Sequence, residues 1–355
     1  MSEPGCAGNR SFQDIANADF ERLQGHLSAI SLSGRAILVS GATGFFGAWL
    51  LALFNWWATQ HADQRFHVYA VSRNPSAFIS RHSWIANVTW LTWIEGDIRS
   101  FEHPAVKLDW VLHAATDTSA EAGRNPSVLL DAIIGGTRHI LGCAKACGAS
   151  RVLLVSSGGV YGAQPGDVDY QSETSTSAPN ALEPGNTYGE SKRVMELLGA
   201  IHAKETSSTV TVARCFAFVG PGLPLDGHFA IGNFIRDALS EPNISIRGDG
   251  RGVRSYLYAA DLAVWLLVLL VKGANQRAYN VGSDRDLSIA DLARQVLAVL
   301  APQKTLQLGN EVNSSPVGNR YVPSIERARS ELNLDVWTPL SDAIAATAAW
   351  KPAHV

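Results

Sequence analysis

Seven residues, Gly41-Ala42-Thr43-Gly44-Phe45-Phe46-Gly47, constrain this chain more than any other stretch. They follow a run of strand-favouring residues, Ala36 to Ser40, and open an apolar, helix-like segment from Phe45 to Ala58. A G-x-x-G-x-x-G turn between a strand and a helix has a physical use. Without Cβ atoms the chain turns sharply and a pyrophosphate can approach the backbone, while the helix N-terminus offers unpaired N–H groups and a partial positive charge. The pattern alone is weak evidence for this and could be a merely structural turn. The flanking strand and helix favour a dinucleotide site made by Gly41, Thr43, Gly44, Phe45, Phe46 and Gly47.

The stretch after that turn repeats its rhythm. Short β-branched and aromatic runs recur at Phe66 to Val71, Val88 to Ile94, Trp110 to His113, Arg151 to Ser156 and Val210 to Cys215. Helix-like stretches at Leu129 to Cys147 and Tyr188 to Ala203 lie between later members of the series. Alternation at this spacing predicts βαβ units, hence an α/β, Rossmann-like fold with a doubly wound parallel sheet. After Cys215 the rhythm changes: Gly220 to Gly232 is rich in Gly and Pro, and turn signals cluster at Gly248 to Gly252. We therefore expect an amphipathic extension at 1–33 and a dinucleotide-binding domain at 34–216, to which about 255–275 returns. A smaller C-terminal α/β substrate lobe is expected from 217–254 and 276–355, with a cleft between the two.

Composition narrows the partners. With 46% hydrophobic and 17% charged residues and ten tryptophans, the chain has the makings of a large core and is not a disordered one. A formal charge of −3 argues against nucleic acid or an anionic membrane as the main partner. Leu262 to Val271 is apolar throughout but about half of the ~20 residues a membrane span needs, so it reads as a buried helix. The start of the chain lacks the basic flank and apolar run of a secretory signal, and the cytoplasm is the expected location. Of the four cysteines, Cys143 and Cys147 share a helix face without a second pair to complete a zinc site. Reduced core thiols and no metal are expected.

Two further constellations carry chemistry. Where an NAD site usually has an acid at the end of its second strand, this chain has Val71-Ser72-Arg73-Asn74. Ser72 and Arg73 suit a 2′-phosphate, which favours NADP while leaving NAD open; the alternative is a surface arginine with the strand boundary misplaced. Asp97, followed by Ile98, either accepts from the adenine amino group or caps its own loop. In Tyr188-Gly189-Glu190-Ser191-Lys192 the tyrosine and lysine lie one above the other on a helix, where the ammonium can lower the phenol pKa toward working pH. Ser157, in Ser156-Ser157-Gly158-Gly159-Val160-Tyr161-Gly162, closes the fifth strand at the sheet edge where parallel sheets bind ligands. A Tyr-x-x-x-Lys spacing alone is common by chance; with the glycine turn and the serine in this order it becomes specific.

At these residues the chain resembles the extended short-chain dehydrogenase/reductase family, in particular its nucleotide-sugar epimerases and dehydratases, from Gly34 to about Leu340. The resemblance implies Ser157, Tyr188 and Lys192 as catalytic residues, with Tyr188 and Lys192 also touching the cofactor. It implies that His113-Ala114-Ala115 forms the wall beside the nicotinamide, although a satisfied core histidine is the favoured reading of His113 itself. A nucleotide-sugar substrate and a homodimer are implied as partners, with Thr118 and Ser157 at the substrate. Arg254 stands at the position of a diphosphate-gripping arginine and Arg320 at a looser second one, as a planar guanidinium suits phosphate. His228, in Asp226-Gly227-His228-Phe229, either covers the nucleotide base or packs its loop.

Some positions depart from the family pattern. Ala217 and Ile133 stand where many relatives have asparagine, and Gly158-Gly159 stand where the 4,6-dehydratases carry an acidic pair for water elimination. The two glycines are also expected to leave room for a keto sugar to rotate. Hydride transfer at a sugar carbon, C4 by preference, is the expected chemistry, by an epimerase or an NADPH-dependent 4-keto-6-deoxysugar reductase, with a 4,6-dehydratase ranked after both; a non-catalytic dinucleotide sensor is the rival class.

Overall fold

The computed structural model describes residues 10–116, 124–227, 229–311 and 320–350. Its centre is a seven-stranded, all-parallel sheet in the order β3-β2-β1-β4-β5-β6-β11. The strands are β1 (Ala36–Ser40), β2 (His67–Ser72), β3 (Leu91–Glu95), β4 (Trp110–His113), β5 (Arg151–Ser157), β6 (Thr209–Cys215) and β11 (Arg277–Val281). Strands β1, β4 and β5 are buried nearly throughout, which is why they read as continuous apolar runs rather than as alternation. Strand order reverses between β1 and β4, the switch point at which an open α/β sheet forms its ligand crevice.

Helices α2 (Phe45–Gln60), α4 (Pro126–Ala146) and α5 (Thr187–Glu205) follow β1, β4 and β5, while α3 (Pro75–Arg81) is a short turn after β2. The apolar run at 262–271 lies within α7 (Ala259–Lys272), buried through Leu270 and packed on β5, β6 and α2. No helix among the described residues is long and apolar enough to cross a membrane. Cys143 and Cys147 are buried free thiols with sulfurs 4.0 Å apart, and burial pushes Cys143 up to about 12.

The structure adds two placements to the sequence reading. The amphipathic stretch packs on the core: α1 (Phe12–Leu23) buries Phe12, Ile15, Ala16, Phe20 and Leu23 along one stripe, with Phe12 and Phe20 set edge-on to Trp49. Asp19 accepts from the Tyr258 hydroxyl at 2.6 Å, tying α1 to the start of α7. Residues 277–281, assigned from sequence to the smaller lobe, instead form the sheet's seventh strand, paired with β6 from Arg277↔Thr211 to Val281↔Cys215.

The smaller lobe contains α6 (Ala230–Ser240), α8 (Ile289–Leu300), the pair β8 (Asn243–Gly248) and β13 (Thr305–Glu311), and a three-stranded sheet. That sheet, β12-β9-β14 (Asp286–Ser288, Val253–Ser255, Arg320–Tyr321), carries Arg254, Arg320 and Tyr321. The short pair β7 (Phe218–Val219) and β10 (Leu257–Tyr258) marks the crossings between lobes. The chain ends in α9 (Glu326–Leu332) and α10 (Leu340–Ala349), and Asp261 in α7 accepts from the Trp337 and Thr338 N–H groups to hold that end on the core.

Candidate functional site

The glycine turn is compact because its glycines meet backbone. Gly41 has φ +73°, and a Cβ there would stand 2.7 Å from the Ala114 carbonyl carbon; at Gly47 a Cβ would stand 2.3 Å from the Gly41 oxygen. Ala114 donates to the Ser40 carbonyl at 3.2 Å, so the His113-Ala114-Ala115 step lies directly against the turn. Helix α2 starts at Gly44 with no side-chain cap and no acidic residue in its first turn, leaving its leading N–H groups available to an anion. Thr43 and Ser72 hydroxyls meet at 3.2 Å, joining the turn to the end of β2, and Arg73 beyond them is exposed. These features fit a dinucleotide: the α2 N-terminus would hold its diphosphate and the Ser72-Arg73-Asn74 step its adenosine ribose.

Asp97 is committed within its own loop. Its carboxylate takes the Arg99 N–H at 2.9 Å and the Arg99 guanidinium at 2.7 and 2.9 Å, and hydrogen bonding from Arg99 holds it down at about 2. Loop capping is therefore the role its geometry displays. Ile98 packs on α4, where a Cβ at Gly136 would come within 3.0 Å of it. His113 is a satisfied core histidine, 2.7 Å from Ser40 Oγ and 3.4 Å from Thr137 Oγ1, and burial depresses it to about 3.

Ser157, Tyr188 and Lys192 converge where β5 ends beside α5. Ser157 is buried, and its Oγ accepts the Gly159 N–H at 3.0 Å. Lys192, buried at 2% exposure, donates to Thr116 Oγ1 and to the Val155 carbonyl, each at 2.8 Å, with Nζ 5.9 Å from the Tyr188 ring centre. Burial lowers Lys192 to about 8, offset in part by Cys215 and Glu196. The expected lowering of Tyr188 by the ammonium is absent from this geometry: burial pushes the phenol up to about 12, and a hydrogen-bonding contribution from Ser157 is what opposes it.

Beneath this group runs a partly buried network that the sequence reading did not find. Ser156 Oγ donates to Glu196 at 2.6 Å; Arg214 forks onto the same carboxylate, at 2.7 Å through Nη2, and donates to the Tyr161 hydroxyl at 2.9 Å. Tyr161 in turn donates to Asn280 Oδ1 at 2.8 Å, linking β5, α5, β6 and β11. Only the pairing of strands far apart in sequence brings these residues together. Ile133 and Ala217 are apolar packing positions in the structure, Ile133 at 1% exposure.

The expected room beside Ser157 is not present at Gly158. A Cβ there would stand 2.6 Å from the Tyr321 hydroxyl and 2.8 Å from the Phe216 ring, so these two side chains occupy that corner. At Gly159 the corresponding contacts, 3.4 Å to Ser157 Oγ and 3.5 Å to Tyr188, are ordinary ones. Successive strand residues point to opposite faces, and while Tyr321 enters the site, Arg320 turns away to donate to Asp286 at 2.6 Å and to the Asp169 carbonyl at 2.8 Å. Arg320 is thus held by these two acceptors in the structure. Arg254 is half-buried, donates to the Val253 carbonyl at 2.8 Å, and is lowered by burial, with Tyr256 and Tyr321 opposing. Thr118 and His228 lie outside the described residues.

Solved structures share this arrangement of elements. The UDP-glucose 4-epimerase of Thermotoga maritima matches 89% of this chain and 98% of its own with a TM-score of 0.72 at 21% identity. DesIV, the dTDP-glucose 4,6-dehydratase of Streptomyces venezuelae, matches 89% and 96% with a TM-score of 0.73 at 22% identity. At these identities the likeness is one of fold. Among curated proteins, UDP-glucuronic acid decarboxylase 1 of Arabidopsis thaliana is 26% identical over 314 residues, 85% of this chain. Its Xenopus tropicalis counterpart is 30% identical over 240 residues, 67% of this chain. The matches span 66% and 56% of those relatives' own lengths. A family model, described as the NAD dependent epimerase/dehydratase family, matches residues 37–282, which run from β1 through the glycine turn and the Ser157-Tyr188-Lys192 group to the end of β11. With well over half of its length matched, this chain belongs to the NAD dependent epimerase/dehydratase family.

Proposed function

We propose that this chain transfers a hydride at C4 of a nucleotide-activated sugar as an epimerase, without removing water. The observation that carries the reading is the convergence of Ser157, Tyr188 and Lys192 beside the glycine turn, with glycines at 158 and 159 where an acid or base for dehydration would stand. NAD(P), when bound, supplies the acceptor and donor of the hydride. Tyr188 exchanges the proton of the C4 oxygen, Ser157 hydrogen-bonds that oxygen, and Lys192 reaches the nicotinamide ribose. Arg254 is the diphosphate contact in this reading. A homodimer belongs to it too: exposed Val128, Leu197 and Ile201 lie on α4 and α5, two helices packed on one another. Sedimentation at micromolar concentration should show two copies.

A second reading, an NADPH-dependent 4-keto reductase, is favoured by the filled corner over Gly158, which leaves a keto sugar less room to turn than the glycines alone suggested. Mass spectrometry after incubation with a panel of nucleotide sugars and 4-keto sugars separates the cases. An epimerase leaves mass unchanged; a reductase adds two hydrogens and consumes NADPH. Loss of water, or loss of carbon dioxide from UDP-glucuronic acid, the substrate in the curated relatives' names, would replace both readings.

The adenosine side makes its own prediction. NADPH should bind more tightly than NADH, and Arg73→Asp should narrow or reverse the preference by roughly tenfold or more, because it removes one ion pair and adds repulsion. Fluorescence titration with each reduced cofactor measures it; equal wild-type affinities would remove the NADP preference.

A further inference from the structure

A cavity of about 130 Å³ opens beside the glycine turn, with Thr43 and Gly44 in one wall and Arg81 and His82, at the end of α3, in another. That is well above the roughly 10–15 Å³ a single water needs. Both ends of the described chain contribute to its lining: Phe12, at the start of α1, stands edge-on to Trp350 at 6.2 Å, and Arg10 and Trp350 are bridged through their backbones. Arg81 supplies the only formal charge in the lining. His82 is pushed down to about 4 by burial, with Arg81 adding to the effect, so it is neutral near pH 7. No acidic residue lines the cavity or lies in the first turn of α2.

The Arg81 guanidinium is oriented by its own helix. Its Nε donates to the Ala77 carbonyl at 3.0 Å, one turn back in α3, and among the described residues it joins no ion pair. The two Nη groups are the part of the fork left for an acceptor, and because Arg81 is exposed, pairing costs it little desolvation. Thr43 connects the cavity to the adenosine side. Its hydroxyl meets that of Ser72 at 3.2 Å, and Ser72 Oγ also takes the Asn74 N–H at 3.2 Å, so the glycine turn, the end of β2 and the start of α3 meet at one point. We propose that Arg81 is a second phosphate-binding arginine: the 2′-phosphate of NADP, on a ribose held at Ser72-Arg73-Asn74, enters the cavity past Thr43 and takes hydrogen bonds from the Arg81 Nη groups, while Arg73 meets it from the other side. A planar fork suits phosphate oxygens, and aromatic walls strengthen the attraction by keeping water away. Arg81 is thereby a cofactor-specificity residue, and this role rests on the NADP preference proposed above.

The test measures NADPH and NADH affinities by fluorescence titration of the full chain, wild type beside Arg81→Gln. The substitution should weaken NADPH by roughly tenfold, the scale of one charge-assisted contact, and leave NADH, which has no 2′-phosphate, within about twofold. The retained NADH affinity doubles as the check that the variant is folded. Arg81→Lys, which keeps the charge and loses the fork, should recover part of the loss. Adenosine 2′,5′-bisphosphate, which carries the 2′-phosphate without the nicotinamide, should displace NADPH from wild type and do so correspondingly less well from Arg81→Gln, whereas 5′-AMP should not distinguish the two proteins. Equal losses of NADPH and NADH, or an NADPH affinity that Arg81→Gln leaves unchanged, would overturn the assignment of Arg81. Equal affinities for the two cofactors in wild type would instead overturn the NADP preference beneath it. A wild-type preference that Arg73→Asp abolishes and Arg81→Gln does not would leave that preference standing without Arg81.

Discussion

Tyr188→Phe should lower turnover by roughly 100-fold or more, the scale of a removed general acid/base, while cofactor affinity stays nearly unchanged. The ring remains in its buried place beside Gly159, so only the exchangeable proton is lost. Steady-state rates on whichever nucleotide sugar the mass screen identifies, set beside a cofactor titration, measure both quantities. Unchanged turnover would remove Tyr188 from the chemistry. Lys192→Met should behave differently and damage rate and cofactor affinity together. Its ammonium bridges Thr116 and Val155 at 2.8 Å, which fixes it between the ends of β4 and β5 and the tyrosine.

Gly47→Ala should damage both stability and cofactor binding. The added carbon would stand 2.3 Å from the Gly41 oxygen and 2.4 Å from Ala42 backbone atoms, and backbone has no rotamer by which to withdraw. The turn must open, at a cost of about 1–3 kcal/mol in overpacking. Because the same displacement moves the N–H groups at the start of α2, cofactor affinity should fall by roughly tenfold or more, as one lost ion-pair-strength contact implies. Urea unfolding and fluorescence titration of the reduced cofactor check the two halves. A variant as stable and as tightly binding as wild type would mean that the turn does not pack as described.

Much of the architecture was legible because its signals are local. The five residues of β1, the glycines after them and the apolar start of α2 lie within one short stretch, and each dictates the conformation of its neighbours. The Tyr188–Lys192 pair was legible for the same reason, since i and i+4 share a face of any helix. Legibility failed where a role depends on a distant partner. Residues 277–281 carry no mark that separates an edge strand of the main sheet from a strand of the smaller lobe, and only pairing with β6 decides it. The amphipathic stripe of α1 was visible, but nothing local says whether such a stripe meets solvent, a partner or, as here, Trp49 and Tyr258.

Local signals were enough to specify the α/β class and to mark the glycine turn, Ser157, Tyr188 and Lys192 as candidates for a cofactor site. The state of those groups came from packing between distant segments. That packing placed Lys192 on Thr116 and Val155 instead of on the phenol, kept Tyr188 at about 12, committed Asp97 to Arg99, and filled the corner over Gly158 with Tyr321 and Phe216. Charge, proton position and free space in a site are sums over everything packed around it, and those neighbours come from strands and loops that the chain brings together only on folding.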